Sequence, residues 1–282
     1  MARSPSSSVQ AAREALAARL RDIRLDAGLK AREVAVQAGW HPSKASRLEN
    51  AVTPPSDADI RDWCRICGAD DQAADLIAAS RSAESMYVEW RRLQRTGLRR
   101  LQESYVPLFE RTRTFRIYCS NVVPGLLQTP AYATALLTEI TDFRQTPNDV
   151  TEAVAVRMDR ARVLREGDHR FAILVEEAVL RYRIGDAGIM AGQLGHLLSI
   201  MSLPAVSLGV VPFSASRRMW PLETFSIYDS AQAQVELLTA AVNVTVPSEI
   251  EQYARAFERL SQVAVYGATA RTLITKAIEA LG

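Results

Sequence analysis

The chain has 282 residues, 48% of them apolar and 23% charged, with a formal net charge of +2 at neutral pH. That length and balance suit two globular domains with sizeable cores, and the near-neutral charge excludes a polybasic coat for nucleic acid, so any contact with DNA has to come from a local patch. No apolar run approaches the ~20 residues of a membrane helix, no signal-peptide core is evident, and an odd count of three cysteines argues against a disulfide framework, so a cytoplasmic protein with no membrane partner is expected.

Residues 1–12, opening Met-Ala-Arg-Ser-Pro-Ser-Ser-Ser, read as a disordered arm. Leu16, Leu20, Ile23 and Ala27 recur at helical spacing, predicting an amphipathic helix from Arg13 to Ala27 that Gly28 ends. Two short helices follow, from about Ala31 and about Pro42. Val34, Ala35 and Ala38 form the apolar face of the first, and Gly39 sits where a sharp turn needs a residue without a Cβ. Ala45 and Leu48 form the apolar side of the second, and Ser43, Lys44, Ser46 and Arg47 its outer side. Small buried residues, a turn glycine and a polar outer face are the pattern of a helix-turn-helix that lays one helix in a DNA groove. Thr53-Pro54-Pro55 breaks the chain, Ser56 or Asp57 caps a fourth helix running to about Cys67, Gly68 stops it, and a fifth runs from Asp70 to about Ser80.

Residues 13–80 are therefore expected to form an all-α, five-helix DNA-binding domain, 81–105 a connecting helix, and 106–282 a mixed α and β domain for signal or partner binding and dimerisation. The fold class is α+β. Short runs rich in β-branched and aromatic residues predict strands at Phe171–Glu176, Val206–Val211, Thr224–Tyr228, Val235–Leu238 and Val242–Val246. Helices are expected at Pro130–Ile140, Thr151–Arg165, Ala187–Ser202 and Glu249–Tyr266, with another from Ala268. The connecting segment carries Arg91, Arg92, Arg95, Arg99 and Arg100, read as a solvated face in preference to a set of phosphate contacts.

The outer face of the third helix holds the candidate site. Pro42 suits a first helical turn, Arg47 can bond two guanine acceptors at once, and Ser43, Lys44 and Ser46 can reach bases or phosphates. The helix N-terminus offers N–H groups to a phosphate; His41 either touches phosphate or caps the helix. This stretch resembles the phage-repressor-like (Xre-type) helix-turn-helix family over residues 13 to about 67, on Ala35, Gly39, Leu48 and the run Ser43-x-x-Ser46-Arg47-Leu48-Glu49. The resemblance implies an ion pair between Glu49 and Arg24 of the first helix, and a phosphate contact at Asn50. Four positions depart from the family pattern. Ala31 stands in place of a phosphate-contacting glutamine, with Arg32 beside it as substitute. Ala45 is small where Trp40 is large, a pair that compensates in volume. Ala51 occupies a position where glycine is common.

In the second domain, Asn121-Val-Val-Pro-Gly-Leu-Leu-Gln-Thr-Pro-Ala-Tyr-Ala133 reads as a Pro124-Gly125 turn followed by a helix that Thr129 caps and Pro130 opens. Leu126, Leu127, Tyr132 and Leu136 favour a core element over a partner surface. The string is similar to the signature of WhiJ-type regulators of filamentous bacteria. Weaker matches are at Arg157, Arg160 and Leu164, Glu176–Arg181, Gln193-Leu194, Pro204–Phe213 and Glu236; Ser214–Arg217 departs, where a glycine is usual. That resemblance implies a transcriptional regulator acting with a small partner protein encoded nearby, and no catalysis.

Enzyme and metal readings are weaker. Cys64-x-x-Cys67 has no second pair, Cys119 stands alone, and His41, His169 and His196 lack metal-ligand spacing. Cys64 and Cys67 suit core packing beside Ile60 better than a redox switch. Glu176-Glu177 would point to opposite faces of a strand and share no site, and the glycines around Gly185 and Gly192 lack the length and lysine of a phosphate loop. The expectation is a sequence-specific regulator of double-stranded DNA, homodimeric, without cofactor, metal or enzyme activity. A small-molecule-responsive regulator and an interaction module that has lost DNA binding are the alternatives.

Overall fold

The computed structural model describes residues 7–82, 87–89 and 94–282. They fall into two compact units, residues up to 87 with 243–250, and residues 88–242 with 251–282.

The first unit contains α1 (Ser7–Asp26), α2 (Ala31–Gln37), α3 (Pro42–Glu49), α4 (Asp57–Cys67), a 3₁₀ turn (Asp70–Gln72) and α5 (Ala73–Ser82). The arm expected over residues 1–12 is partly helix: α1 starts at Ser7, where the run Val9-Gln10-Ala11-Ala12 favours helix. Residues 1–6 lie outside the described residues. The core gathers Leu16, Leu20 and Ile23 from α1, Val34 and Ala35 from α2, Ala45 and Leu48 from α3, and Ile60, Trp63 and Cys64 from α4. Trp63 is fully buried, and its indole N–H donates to the Leu20 carbonyl at 2.9 Å.

Four consecutive helices end the same way. After α1, α2, α3 and α4 the chain turns through a left-handed residue, namely Gly28, Gly39, Ala51 and Gly68. In each case the next N–H returns to a carbonyl five residues back, as in Val52 to Arg47 at 3.0 Å and Trp40 to Ala35 at 2.8 Å. This double closure satisfies the last carbonyls of each helix. Ala51, with φ of 54°, is the one non-glycine among the four, and an L-residue there is strained by about 1 kcal/mol. Ala51→Gly is therefore expected to stabilise the first unit by about 0.5–1 kcal/mol, after the extra chain entropy of glycine is set against the relief. Urea unfolding would register the gain as a higher midpoint at unchanged slope.

The second unit is built on a mixed sheet. The strands of that sheet are β1 (Tyr87–Glu89), β2 (Thr114–Cys119), β3 (Arg170–Glu176), β4 (Val206–Val211), β5 (Phe225–Tyr228), β6 (Gln232–Glu236) and β7 (Ala240–Val244), in the order β1-β7-β6-β5-β2-β3-β4, with Tyr87, Asn243 and Val244 at their ends counted in the first unit. The helices are α6 (Arg99–Ser104), α7 (Val106–Arg111), α8 (Pro130–Arg144), α9 (Val150–Arg160), α10 (Glu177–Arg181), α11 (Ala187–Ile200), α12 (Pro247–Ser261, whose residues up to Ile250 are counted in the first unit) and α13 (Gly267–Glu279). β2, which the sequence reading leaves out, is the pivot. It pairs parallel with β3 (Ile117 opposite Ile173) and antiparallel with β5 (Ile117 opposite Ser226). The parallel steps β2–β3 and β3–β4 are bridged by helices, as parallel pairing requires. Phe115 stacks on Phe171 with ring centroids 4.6 Å apart and meets Tyr228 edge-on at 5.8 Å, anchoring the core at this pivot.

The connecting helix expected over residues 81–105 is corrected. Residues 87–89 are strand, residues 94–96 turn, and a helix starts at Arg99; residues 83–86 and 90–93 lie outside the described residues. Gly97 causes the break. Its φ is +99°, and a Cβ there would lie 2.2 Å from the Asp149 carboxylate. That carboxylate accepts from the N–H groups of Leu98 and Arg99 at 2.6 and 2.9 Å, starting α6 from outside. Of the basic run, Arg91 and Arg92 lie outside the described residues; Arg95 and Arg100 are exposed, and Arg99 pairs with Glu103.

Candidate nucleic-acid interface

α2 and α3 meet through the turn at Gly39, whose φ of +67° lets the chain reverse. Pro42 opens α3 at the position that needs no N–H, and His41 caps it. The His41 Nδ1 accepts from the Ser43 N–H at 3.3 Å and lies 2.8 Å from the Ser43 hydroxyl. Ala45, Leu48 and Glu49 of α3 are buried, whereas Pro42, Ser43, Ser46, Arg47 and Asn50 are exposed. One face of the helix is thus fixed in the core and the other is open.

The fixing is electrostatic as well as apolar. Arg24 holds Glu49 through two parallel contacts, Nε to Oε1 and Nη2 to Oε2, the latter at 3.2 Å. Its third donor, Nη1, reaches the Leu29 carbonyl at 2.6 Å. Both side chains are shielded, with 11% and 7% of their surface exposed. Such a fork-to-fork pair fixes direction as well as distance. Arg21, absent from the sequence-derived set, adds a second clamp by donating to the Glu49 carbonyl at 2.7 Å and to Asn50 Oδ1 at 3.3 Å. The signal for it was present: Arg21 precedes Arg24 by three residues and so shares its side of α1.

The candidate residues divide by how far they are engaged. Lys44 is held inside the unit, 2.6 Å from Asp59 Oδ1 and 4.5 Å above the centre of the Trp40 ring. Burial raises the Asp59 pKa, but bonds from Lys44 and Ser56 outweigh it and leave the carboxyl below its usual range. Asn50 closes the end of α3, donating to the Ser46 carbonyl at 2.7 Å. Arg32 and Arg47 are exposed and have no side-chain partner among the described residues. Trp40 packs against the same core that buries Ala45, its ring 6.2 Å from that of Trp63.

In the second unit the Asn121–Ala133 string is a braced turn. Leu126, Leu127, Tyr132 and Ala133 are buried. Thr129 caps α8 through the Tyr132 N–H at 3.3 Å. Gln193, fully buried on α11, takes the Thr129 N–H at 2.7 Å and gives its own amide to the Leu127 carbonyl at 2.7 Å. Gln128 donates back to the Val123 carbonyl at 2.8 Å.

The glutamates are separated because β3 ends between them. Glu176 accepts from the Tyr118 hydroxyl at 2.7 Å and from Arg217, while Glu177 starts α10 and accepts from the Phe213 N–H at 3.0 Å. All three cysteines are free thiols. Cys64 lies in the first core, where burial, with Cys67 next, pushes its pKa up to about 11, away from thiolate reactivity. Burial, then Arg165, lowers the His196 pKa, and His169 Nδ1 lies 2.7 Å from the Thr112 carbonyl oxygen. Among the described residues there is no cluster of metal-ligating side chains and no helix long and apolar enough to cross a membrane.

A family model described as a domain of unknown function (DUF5753) matches residues 102–276, and one described as a helix-turn-helix domain matches residues 15–77. No curated protein and no solved structure matches the chain.

Proposed function

Because the chain belongs to the DUF5753 family and carries a helix-turn-helix domain ahead of it, we propose that it is a sequence-specific transcriptional regulator that reads double-stranded DNA with α3. The observation that carries this reading is the division of α3. Glu49 is clamped by Arg24 and Arg21, while Ser43, Ser46 and Arg47 stand exposed on the other side. Arg47 reads a base edge. Arg32 and the capped N-terminus of α3 meet phosphates, and Lys44 and Asn50 hold the helix in place for them. A homodimer on paired half-sites suits such a unit. The second unit receives the signal that alters binding. The resemblance to WhiJ-type regulators supports a small partner protein encoded nearby as an input, and co-purification with the full chain would identify it.

The test is footprinting on the promoter upstream of the chain's own gene, followed by titration of Arg47→Ala on the protected sequence. Losing a two-bonded guanine contact costs about 1–3 kcal/mol, or roughly 5- to 150-fold in affinity. Weak, salt-sensitive binding to unrelated duplex should remain. Equal affinity of the variant and the parent for the protected site would overturn the assignment of Arg47.

A further inference from the structure

Within the second unit lies a cavity of about 500 Å³, walled by α6, β2, the Pro124–Gln128 turn, α8, α9 and the β5–β6 hairpin. That is the size of an ordinary small-molecule site. Arg144, Arg157 and Arg160 line it, with Glu236 as the only acidic lining residue among the described residues. Glu236 is exposed, so it stands at the mouth, next to the exposed Leu237 and Leu238.

Arg157 and Arg160 converge. They lie three apart on α9, hence on one side of it. A Cβ placed on Gly125 would sit 3.8 Å from Arg157 Cζ and 3.8 Å from Arg160 Nη2, so both guanidiniums reach the glycine of the signature turn. Among the described residues their hydrogen-bond partners are all neutral, and Glu236 acts on both only through its charge. Arg157 donates to Gln128 Oε1 at 2.5 Å and Gln102 Oε1 at 3.2 Å. Arg160 donates to the Gln102 carbonyl at 3.4 Å and lies over the rings of Phe109 and Tyr105, 4.6 and 5.2 Å from their centres. Arg160 is 8% exposed, and its buried Nε has no hydrogen-bond partner among the described residues. Burial, then Arg160, brings the Arg157 pKa down to about 10, so the group stays charged at neutral pH. Neighbouring cations withdrawn from water, with no carboxylate hydrogen-bonded to either among the described residues and only the charge of Glu236 acting on them, are a costly arrangement that a bound anion relieves.

We propose that this cavity binds a small organic anion, its acid group held by Arg157 and Arg160 and its apolar body set against Leu98, Leu101 and Leu136. The guanidinium fork matches the paired oxygens of a carboxylate or a phosphate. The proposal rests on the reading of the second unit as the signal receiver, and it identifies the chemistry of one signal.

The experiment is thermal unfolding of the full chain, without DNA, in millimolar octanoate, phenylacetate or phenyl phosphate. The controls are matched sodium chloride and the neutral amides octanamide and phenylacetamide. At least one anion should raise Tm saturably by roughly 5 °C, with no effect of the amides. Octanoate and phenylacetate against phenyl phosphate separate a carboxylate ligand from a phosphate one. The shift should vanish in Arg160→Met and shrink in Arg157→Lys, which keeps a charge but loses the fork and remains informative if the first variant does not fold. No shift beyond matched salt, an equal shift by the amides, or an undiminished shift in the variants that fold would each overturn the proposal. The readout contains no DNA, so its failure leaves the reading of α3 intact; the Arg47→Ala titration bears on α3 alone, and the thermal shifts alone decide the cavity.

Discussion

Glu49→Ala is expected to destabilise the helix-turn-helix unit by about 3–5 kcal/mol, the cost of leaving one member of a buried ion pair without the other. The pair qualifies as buried, since 11% of Arg24 and 7% of Glu49 remain exposed. Without the carboxylate, the Arg24 guanidinium would keep the Leu29 carbonyl as its one remaining acceptor among the described contacts. Because domains of this size hold only about 5–15 kcal/mol in total, the loss would populate the unfolded unit well below the parent's midpoint. Hydrogen exchange resolved by segment is the suitable measurement, since it reports α1–α5 apart from the sheet. DNA binding should fall with it. Replacing both partners with apolar residues of similar volume, Arg24→Met with Glu49→Leu, should recover most of the stability, because the cost arises from the stranded charge. A loss below about 1 kcal/mol in Glu49→Ala would place the pair with ordinary solvent-screened surface bridges and remove its role in holding α3.

The first unit was legible because its signals are local. Helical spacing of Leu16, Leu20 and Ile23, the glycines at 28, 39 and 68, and Ser56 at the start of α4 each act within a few residues. The second unit defeated local reading at places where distant residues decide. The break before α6 depends on Asp149, fifty-one residues beyond Leu98 in the chain. β2 carries a polar Arg116 among apolar neighbours, and its central place follows from pairing with β3 and β5. Leu237 and Leu238, included in the strand expected over Val235–Leu238, instead lie exposed in the turn after β6. The site divides similarly. The outer face of α3 follows from periodicity, and the Arg24–Glu49 pair from a family resemblance. The engagement of Lys44 by Asp59 and of Asn50 by Arg21 needed the packing of other helices. Arg157 and Arg160 were visible as matches on one helix, but their meeting at Gly125 is a product of the fold.

Glu176→Ala should destabilise the second unit by about 3–5 kcal/mol for the corresponding reason. Glu176 is 5% exposed at the end of β3, and it is the acceptor for both the Arg217 guanidinium and the Tyr118 hydroxyl. The Tyr118 hydroxyl in turn accepts from the Leu222 N–H at 3.4 Å, so the carboxylate ties β2, β3 and the segment before β5 together. Burial, then the bond to Glu176, raises the Tyr118 pKa, which keeps the phenol protonated and donating. Arg217 falls in the loop where the resemblance leads one to expect glycine, so the departure in sequence coincides with the partner of a buried acid. Tyr118→Phe removes a single hydrogen bond and should cost only about 1–2 kcal/mol, while Glu176→Gln keeps an acceptor for Tyr118 and should fall between the two. Hydrogen exchange at β2 and β3 provides the measurement. A graded series in that order identifies a structural acid. If Glu176→Ala instead cost less than about 1 kcal/mol, the carboxylate would not be holding these strands, and an acid at the end of a buried strand would have to be explained by chemistry on a ligand.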